Sequence, residues 1–309
     1  MGARLQNNEV VMSEETALEL VLPARSAELP GGLAVRRALP RRQRRMVGPF
    51  VFVDQMGPAP LAADREVTVL PHPHIGLSTI TYLFEGEGLH RDSLGTVQRI
   101  LPGEVNWMTA GRGIVHSERL RAGASGRVFG AQIWVALPRA LEECAPSFEH
   151  YDAAAVPVID ADGVRTSVIA GSWSGATSRV RVSSPLFYAE SVVARGATLL
   201  VAPEYPERAL YVVEGELRVG SRSLVAGDLA VLRSDAAVRC HGVDAARVLL
   251  LGGAPLDEPR FISWNFVSSS RERLRQAAED WRQQRFGRID GETAYIPLPE
   301  DGSAPVNYP

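Results

Sequence analysis

Short apolar runs separated by glycine and proline turns dominate the chain. Between residues 66 and 137 this pattern predicts six short strands, with no segment of helical periodicity between them. Turns as tight as Gly86-Glu87-Gly88 and Pro102-Gly103 join the strands, which is typical of an antiparallel β-sandwich or jelly roll and argues against a doubly wound parallel sheet. The predicted strands cover residues 77–85, 89–92, 97–101, 105–109, 114–118 and 127–137.

A weak internal repeat divides the chain. The run YLFEGEG, which begins at Tyr82, resembles the run YVVEGEL, which begins at Tyr211, and each is followed by a second glycine turn. Duplication of one β-sandwich explains the repeat, and a chance likeness between strand-rich segments is the alternative. Duplication predicts an all-β protein with an N-terminal domain at residues 1–140 and a C-terminal domain at residues 141–309. The Ala- and Pro-rich segment 138–157 would link them.

One helix is predicted in the C-terminal domain, near residues 269–286. Ser269-x-x-Glu272 has the pattern of a capping box, and Gly287 supplies an end. Apolar residues recur at helical spacing between these points, so we expect the helix to dock its apolar face on a sandwich in a structural role.

Composition and charge exclude several classes of function. The 33 basic residues are all arginine and the formal net charge is −3, which argues against bulk nucleic-acid binding and excludes Schiff-base or P-loop lysine chemistry. Six arginines between Arg36 and Arg45 are interpreted as a solvated edge strand and turn paired with nearby carboxylates, and a patch for nucleic acid or an acidic partner is the alternative. The five tryptophans are interpreted as packing residues. Two cysteines make no disulfide framework, and neither a signal peptide nor a membrane span is evident, so we expect a cytoplasmic protein.

Two pairs of candidate metal ligands lie close together in the N-terminal half. His72-Pro73-His74 and His116-Ser117-Glu118 each place two donor side chains two residues apart, and residues at that spacing share one face of a strand. Two such strands facing each other would bring three imidazoles and one carboxylate to one point. This donor set suits Fe, Mn, Ni, Cu or Zn. Either pair alone would be read as ordinary histidines beside turns, whereas two pairs favour a metal site.

The other histidines are kept out of the predicted ligand set. His90 is predicted to be a solvated strand residue, with a position supporting the ligands as the alternative. His150 and His241 have no matching neighbours in the sequence and are interpreted as structural or surface residues.

Longer motifs resemble the pirins, a branch of the cupin superfamily. The runs PHPHIGLSTITYLFEGEGLHRDSLG and PGEVNWMTAGRGIVHSER are similar to the family signature. VGPFVFVDQMGP at residues 47–58 and RFISWNFVSSSRERLRQAAEDW at residues 260–281 extend the likeness over most of the chain. The resemblance implies a two-domain bicupin with iron, as Fe(II) or Fe(III), in the N-terminal domain only. The family's metal ligands fall on His72, His74, His116 and Glu118, and other divalent transition metals are alternatives to iron.

Two further comparisons refine this expectation. Pirins often read HPHRGFE where this chain has Ile75 and Ser78, so we expect the pocket mouth to differ in charge and polarity. In the second repeat Val201 and Cys240 stand where His72 and His116 stand in the first, so the C-terminal domain is expected to be metal-free.

The resemblance also implies a function. It points to a dioxygenase of quercetin 2,3-dioxygenase type that acts on a flavonol or another aromatic enol with O2. Glu118 would then be both a ligand and the catalytic base that accepts the substrate proton. The alternative is a non-catalytic, metal-dependent regulator that binds a transcription factor or a metabolic enzyme. Neither hypothesis needs direct contact with nucleic acid or a membrane.

Overall fold

The computed structural model describes residues 17–29, 31–299 and 306–308, and antiparallel strands supply nearly all of their regular structure. The strands of the first half are β1 (Leu18–Pro23), β2 (Arg25–Leu29), β3 (Leu33–Leu39), β4 (Phe50–Pro60), β5 (Val67–His74), β6 (Leu77–Glu85), β7 (Glu87–Asp92), β8 (Val97–Ile100), β9 (Val105–Thr109), β10 (Ile114–Arg121), β11 (Arg127–Ala136) and β12 (Ser147–Tyr151). The strands of the second half are β13 (Val158–Ala161), β14 (Val164–Trp173), β15 (Ala176–Thr177), β16 (Leu186–Val193), β17 (Thr198–Val201), β18 (Glu207–Glu214), β19 (Glu216–Val219), β20 (Arg222–Val225), β21 (Asp228–Leu232), β22 (Val238–Gly242), β23 (Ala246–Gly253), β24 (Arg260–Ser263), β25 (Phe266–Ser268) and β26 (Val306–Tyr308). The described part of the chain has one α-helix, α1 (Arg271–Arg282), and short 3-10 turns at Gly123–Ser125, Arg139–Leu141 and Ala153–Ala155.

Two sandwiches of the same plan make up the molecule. The first packs a seven-stranded sheet, in the order β12-β9-β6-β11-β4-β3-β2, against a four-stranded sheet, β5-β10-β7-β8. The second packs an eight-stranded sheet, whose main path is β1-β21-β18-β23-β16-β14-β13 with β15 beside β14, against the four-stranded sheet β17-β22-β19-β20. A fifth sheet, β25-β24-β26, lies in the C-terminal segment. The predicted all-β, two-sandwich fold with a C-terminal helix is confirmed.

The edge strands cross between the two halves of the chain. β1 pairs with β21 of the second sandwich, whereas β12 pairs with β9 of the first. β12 falls inside segment 138–157, so this predicted linker contributes a strand to the first sandwich. The domain division at residue 140 stays a prediction. The first sandwich contains β12, which follows residue 140 in the chain, and the second sandwich contains β1, which precedes it.

The large sheets of the two sandwiches pack face to face. Their inner residues form one buried cluster that includes Tyr82 from the first sandwich and Tyr188 and Tyr211 from the second. The Tyr82 hydroxyl donates to Glu190 at 2.8 Å, and the Tyr211 hydroxyl donates to Gln55 Oε1 at 2.8 Å. Because buried hydroxyls need partners, these two bonds connect the sandwiches in one arrangement.

Helix α1 starts later than its predicted capping box. Ser270, not Ser269, is the N-cap, and its hydroxyl accepts a hydrogen bond from the Arg273 amide at 3.3 Å. The prediction for Ser269 was wrong because its hydroxyl and its amide both donate to the buried carboxylate of Glu142. Glu142 also pairs with the fully buried Arg260 at 2.8 Å, so these contacts fix the start of the helix on the first sandwich.

The C-terminal segment packs against the first sandwich rather than the second. Buried Leu274, Ala277 and Trp281 of α1 form a cluster with Ile75 and Val115 from the first sandwich. The expected structural role of the helix agrees with this contact. In the part of the chain that the structure describes, no helix is long and apolar enough to cross a membrane.

Candidate metal centre

Strand pairing brings three histidines together inside the first sandwich. β10 pairs with β5 so that His116 lies directly opposite His72, and His74 follows two residues later on β5. All three side chains are buried, and one ring nitrogen from each lies within 4.8 Å of the others. The predicted convergence of three imidazoles is therefore present.

Backbone carbonyls set the orientation of two of these rings. His72 Nδ1 lies 2.8 Å from the Leu70 carbonyl, and His74 Nδ1 lies 3.1 Å from the Asn265 carbonyl. Because a carbonyl only accepts, each Nδ1 carries the proton and each Nε2 keeps its lone pair. Histidines that bind metals are commonly oriented by such outer partners.

The unsatisfied ring nitrogens fit a bound cation. His74 Nε2 and His116 Nε2 lie 3.1 Å apart, and His116 Nδ1 is buried with no hydrogen-bond partner among the described residues. Two nitrogen lone pairs at that distance repel unless a proton or a cation lies between them. Burial lowers the pKa of His72 to about 4 and those of His74 and His116 well below their ordinary value. The rings are thus neutral at pH 7, the form that binds a metal.

Glu118 lines the same cavity but stands apart from the histidine group. A bulge in β10 shifts the register after His116, so that Glu118 lies opposite Val69 on β5. Its Oε1 accepts a hydrogen bond from the Thr81 hydroxyl at 3.3 Å. Burial raises the pKa of the Glu118 carboxyl, while the charge of His90 and the Thr81 bond oppose the rise. Its role as fourth ligand and catalytic base stays a prediction.

The prediction of a solvated His90 was wrong. The side chain is buried, its Nε2 lies 2.9 Å from Asp92 Oδ2, and its ring stacks on Phe148 with 4.4 Å between centroids. The ring centroid is 5.3 Å from that of His116. His90 lies on β7, which pairs with β10. The alternation of polar residues along β7 could not predict the burial of His90. Its place matches the alternative of a residue that supports the ligands.

His150 and His241 lie away from the histidine cluster. His150 Nδ1 is 2.8 Å from Asn106 Oδ1 on the neighbouring strand. His241 Nδ1 is 2.8 Å from the Thr198 hydroxyl in the second sandwich. These contacts agree with the structural and surface roles expected for them.

An apolar cavity of about 340 Å³ opens beside the three histidines. Phe52 and Trp134 stack on one wall with 4.1 Å between ring centroids, and the Arg37 guanidinium lies 4.4 Å from the Phe52 centroid. The C-terminal segment supplies another part of the lining, namely Ile262, Trp264, Asn265 and Ile296. Sequence reasoning assigned Trp134 and Trp264 to packing and missed that they line this cavity. The run RFISWNF was the only signal for the C-terminal part.

Ile75 and Ser78 do not line the cavity, contrary to expectation. Ile75 is buried against Phe266 and helix α1, and Ser78 is buried with its hydroxyl 3.0 Å from Thr109 Oγ1. The chain turns away from the cavity after His74, so these two side chains pack outside it. Their difference from the common family pattern therefore changes packing rather than the pocket mouth.

Two arginines of the run at residues 36–45 pair with carboxylates, as expected, but the expectation that the run lies on a solvated edge strand was wrong. Arg37 makes a bidentate contact with buried Asp54 at 2.8 and 2.7 Å, and Arg44 lies 3.4 Å from Glu19. β3 is an inner strand of its sheet, and the half-buried Arg37 lines the cavity.

The second sandwich has an apolar interior where the first has histidines. Val201 and Cys240 are both buried in a cluster of leucine, valine and alanine side chains. Among the described residues of this interior, no three metal-binding side chains come together.

Two sandwiches of one plan, with a metal-binding geometry inside the first, define a bicupin. Family models agree with this class: the model "Pirin" matches residues 32–135, and the model "Pirin C-terminal cupin domain" matches residues 188–287. The chain belongs to the pirin family.

Individual relatives show how far the similarity extends. A "Pirin-like protein" from Caulobacter vibrioides is 48% identical over 291 residues, covering 92% of this chain and 100% of the relative. The crystal structure of a quercetin 2,3-dioxygenase from Acinetobacter baumannii matches with a TM-score of 0.83 and 36% identity, over 91% of this chain and 94% of that one. A pirin from Escherichia coli in complex with nickel(II) shares the fold, with a TM-score of 0.59 at 16% identity, over 77% of this chain and 100% of that one.

Proposed function

We propose that the first sandwich binds one iron ion and that the protein is a dioxygenase of quercetin 2,3-dioxygenase type, acting on a flavonol or related aromatic enol. The observation that carries the proposal is the group of three neutral imidazoles at the wall of a cavity lined by stacked aromatic rings. The Acinetobacter baumannii relative described as a quercetin 2,3-dioxygenase supports the reaction class.

His72 and His74 would hold the ion through the Nε2 atoms that point away from their backbone acceptors, and His116 through the Nε2 that faces His74. Glu118 would be the fourth ligand. A bound iron would supply Lewis acidity and one-electron chemistry toward O2. The nickel(II) complex of the Escherichia coli pirin supports a transition metal as the class of ion. The family resemblance, rather than the donor atoms, favours iron over nickel, manganese or zinc.

Glu118 would accept the hydroxyl proton of the bound enol at one of its carboxylate oxygens. Its raised pKa makes the carboxylate a better proton acceptor than an exposed glutamate. The Thr81 hydroxyl, 3.3 Å from Oε1, would hold the carboxylate in place during the transfer.

Phe52, Trp134 and Trp264 would position the substrate and exclude water. An aromatic ring that slides between such side chains is held by offset stacking, and the apolar wall leaves few groups to retain bulk water. A cavity of about 340 Å³ fits a molecule of two or three fused rings better than a protein segment. This feature favours the enzyme over the regulator.

Glu118→Gln tests the proposed reaction. We expect the variant to keep part of its metal, because three imidazoles remain, and to lose about 10²–10⁴-fold in flavonol-dependent O2 uptake per bound metal. Glu66→Gln is the matched control, since Glu66 lies outside the cavity and its carboxylate accepts from the Arg121 guanidinium at 2.7 Å.

Two results would contradict this account. Turnover that is unchanged in Glu118→Gln would remove the base role while keeping the enzyme. An iron-loaded wild-type protein without O2 uptake on any flavonol or catechol would favour the metal-dependent regulator, and capture of its partner would then be the next measurement.

A further inference from the structure

A row of six polar side chains crosses the large sheet of the first sandwich. Each member lies directly opposite the next in the strand register, from β3 through β4, β11, β6 and β9 to β12. Directly opposed residues of antiparallel strands share a face, so the row lies on one side of the sheet. Its members are Arg37, Asp54, Gln132, Thr81, Asn106 and His150.

The second sandwich has an apolar row at the same place. Thr81 and Leu210 each lie five residues before the glycine of the repeated turn, which aligns the two rows. The counterparts, again in direct register, are Val168, Ala189, Leu250, Leu210, Ala230 and Val21. The same fold is thus compatible with an entirely apolar row.

A buried polar row reduces stability unless its groups find partners. Arg37, Gln132 and Thr81 line the cavity beside the histidines, whereas the counterpart leucines and valines fill the core of the second sandwich. The fold does not require the polar residues, so their position on the cavity wall points to a role toward whatever occupies the cavity.

Two hydrogen-bond donors of the row, one on Arg37 and one on Gln132, have no acceptor in the part of the chain that the structure describes. Arg37 uses Nε and Nη2 for Asp54, and no bond from its Nη1 to a described residue is found. Gln132 Oε1 lies 2.9 Å from the Thr81 hydroxyl, and its Nε2 likewise has no acceptor among the described residues. Both side chains line the cavity, so a ligand there meets donors without partners.

The charges around these donors favour a neutral acceptor over an anion. Arg37 and Arg25, which lies directly opposite it on β2, are balanced by Asp54 and by Glu28 on the cavity wall. A carboxylate group on the ligand would therefore meet no net positive charge at this end of the cavity, whereas a ketone or phenol oxygen accepts a hydrogen bond without adding a charge.

The strand spacing fixes how far this contact lies from the proposed chemistry. The Arg37 guanidinium stacks over Phe52 on β4, and two strand intervals of ~4.8 Å separate β4 from Thr81 on β6. Thr81 in turn contacts Glu118. The Arg37 guanidinium therefore lies about 10 Å from Thr81, and Gln132 lies on the strand between them, next to Thr81.

We propose that Arg37 and Gln132 determine substrate specificity by binding a neutral acceptor oxygen at the end of a planar aromatic substrate remote from its reacting hydroxyl. This inference rests on the proposed function only in taking the cavity as a small-molecule site. It adds the class of substrate, an aromatic hydroxyl compound with a second, uncharged oxygen no more than about 10 Å away, and the two residues that recognise it.

Equilibrium binding to the metal-loaded, full-length protein tests the proposal without turnover. Calorimetric titration in the absence of O2 compares 6-acetyl-2-naphthol with 6-ethyl-2-naphthol, which has the same shape without the acceptor oxygen. We expect wild type to bind the acetyl compound about tenfold more tightly, as one charge-assisted hydrogen bond gives. 6-Hydroxy-2-naphthoate should gain nothing over the acetyl compound.

Three variants separate the role of the row from general effects on the pocket. Gln132→Leu introduces leucine, the residue type of Leu250 at the equivalent position in the second sandwich. The double variant Arg37→Met/Asp54→Leu removes both partners of the ion pair together, which avoids an unpaired buried charge. Both should lower the acetyl preference, the ratio of the affinities for the two naphthols, toward one. Arg36→Met, on the exposed neighbour, is the matched control and should keep the preference.

Equal binding of the two naphthols by wild type would overturn the proposal, as would an acetyl preference that survives in Gln132→Leu and in the double variant. Tenfold tighter binding of the naphthoate would overturn the assignment of a neutral acceptor. Because the experiment measures binding and not turnover, each of these outcomes can be interpreted even if the protein is not a dioxygenase.

Discussion

At the scale of single residues, backbone carbonyls decide what the histidines can do. The acceptor for His74 Nδ1 belongs to Asn265, 191 positions away in the chain, and that for His72 belongs to Leu70. The two H-x-H and H-x-E pairs predicted the cluster because alternation along a strand is a local property. The carbonyl partners and the burial of His90 could not be predicted, because they depend on which distant strands pack on the site.

Burial of neutral imidazoles makes the metal-free protein sensitive to acid. The pKa of His72 is lowered from 6.5 to about 4, so the unfolded chain binds the proton more readily than the folded one. The free energy of unfolding should therefore fall as the pH drops from about 6.5 to about 4, by up to about 3 kcal/mol for this residue. Denaturant unfolding of metal-free wild type and His72→Gln between pH 7 and 4 measures this, and a decline equally steep in the variant would contradict it.

At the scale of elements, the C-terminal sheet completes the site of the first sandwich. The Val267 amide donates to the Ile75 carbonyl at 3.2 Å, next to the bond between His74 and Asn265. The strands β6 and β9 were predicted to the residue because glycine turns bracket them. The three-residue strand β25 could not be predicted, because its pairing depends on tertiary contacts rather than on alternation along the sequence.

Gly76 tests whether this docked sheet supports metal binding. The residue has φ +67°, and a Cβ there would collide with the Val267 backbone carbonyl. Gly76→Ala should displace the sheet and, through Asn265, weaken metal binding by ~10–100-fold, the range seen when an outer partner of a ligand is lost. It should also lower the free energy of unfolding by about 1–3 kcal/mol more than its control does.

Gly95→Ala is the matched control for that prediction. Gly95 also has positive φ, at +88°, but a Cβ there meets no atom within 4 Å. Backbone strain is therefore common to both variants, and only Gly76→Ala adds the collision. Metal affinity from competition with a chelator would contradict the account if both variants retained the wild-type value.

At the scale of the whole molecule, one plan is used twice with two kinds of interior. The second sandwich fills its interior with apolar side chains around Val201 and Cys240, whereas the first leaves a cavity beside three histidines. The repeat in the sequence predicted this contrast, because the donor residues occur in only one copy. The exchange of edge strands β1 and β12 could not be predicted, since short edge strands carry no signal for which sheet they join.

The metal content of the full chain tests the central claim most directly. Elemental analysis of purified wild type should find one transition-metal ion per chain, and His74→Ala/His116→Ala should bind almost none. Cys240→Ser should match wild type, because one thiol surrounded by apolar side chains supplies a single ligand. Two ions per chain, an unchanged metal content in the double histidine variant, or loss of metal in Cys240→Ser would contradict a single centre at His72, His74 and His116.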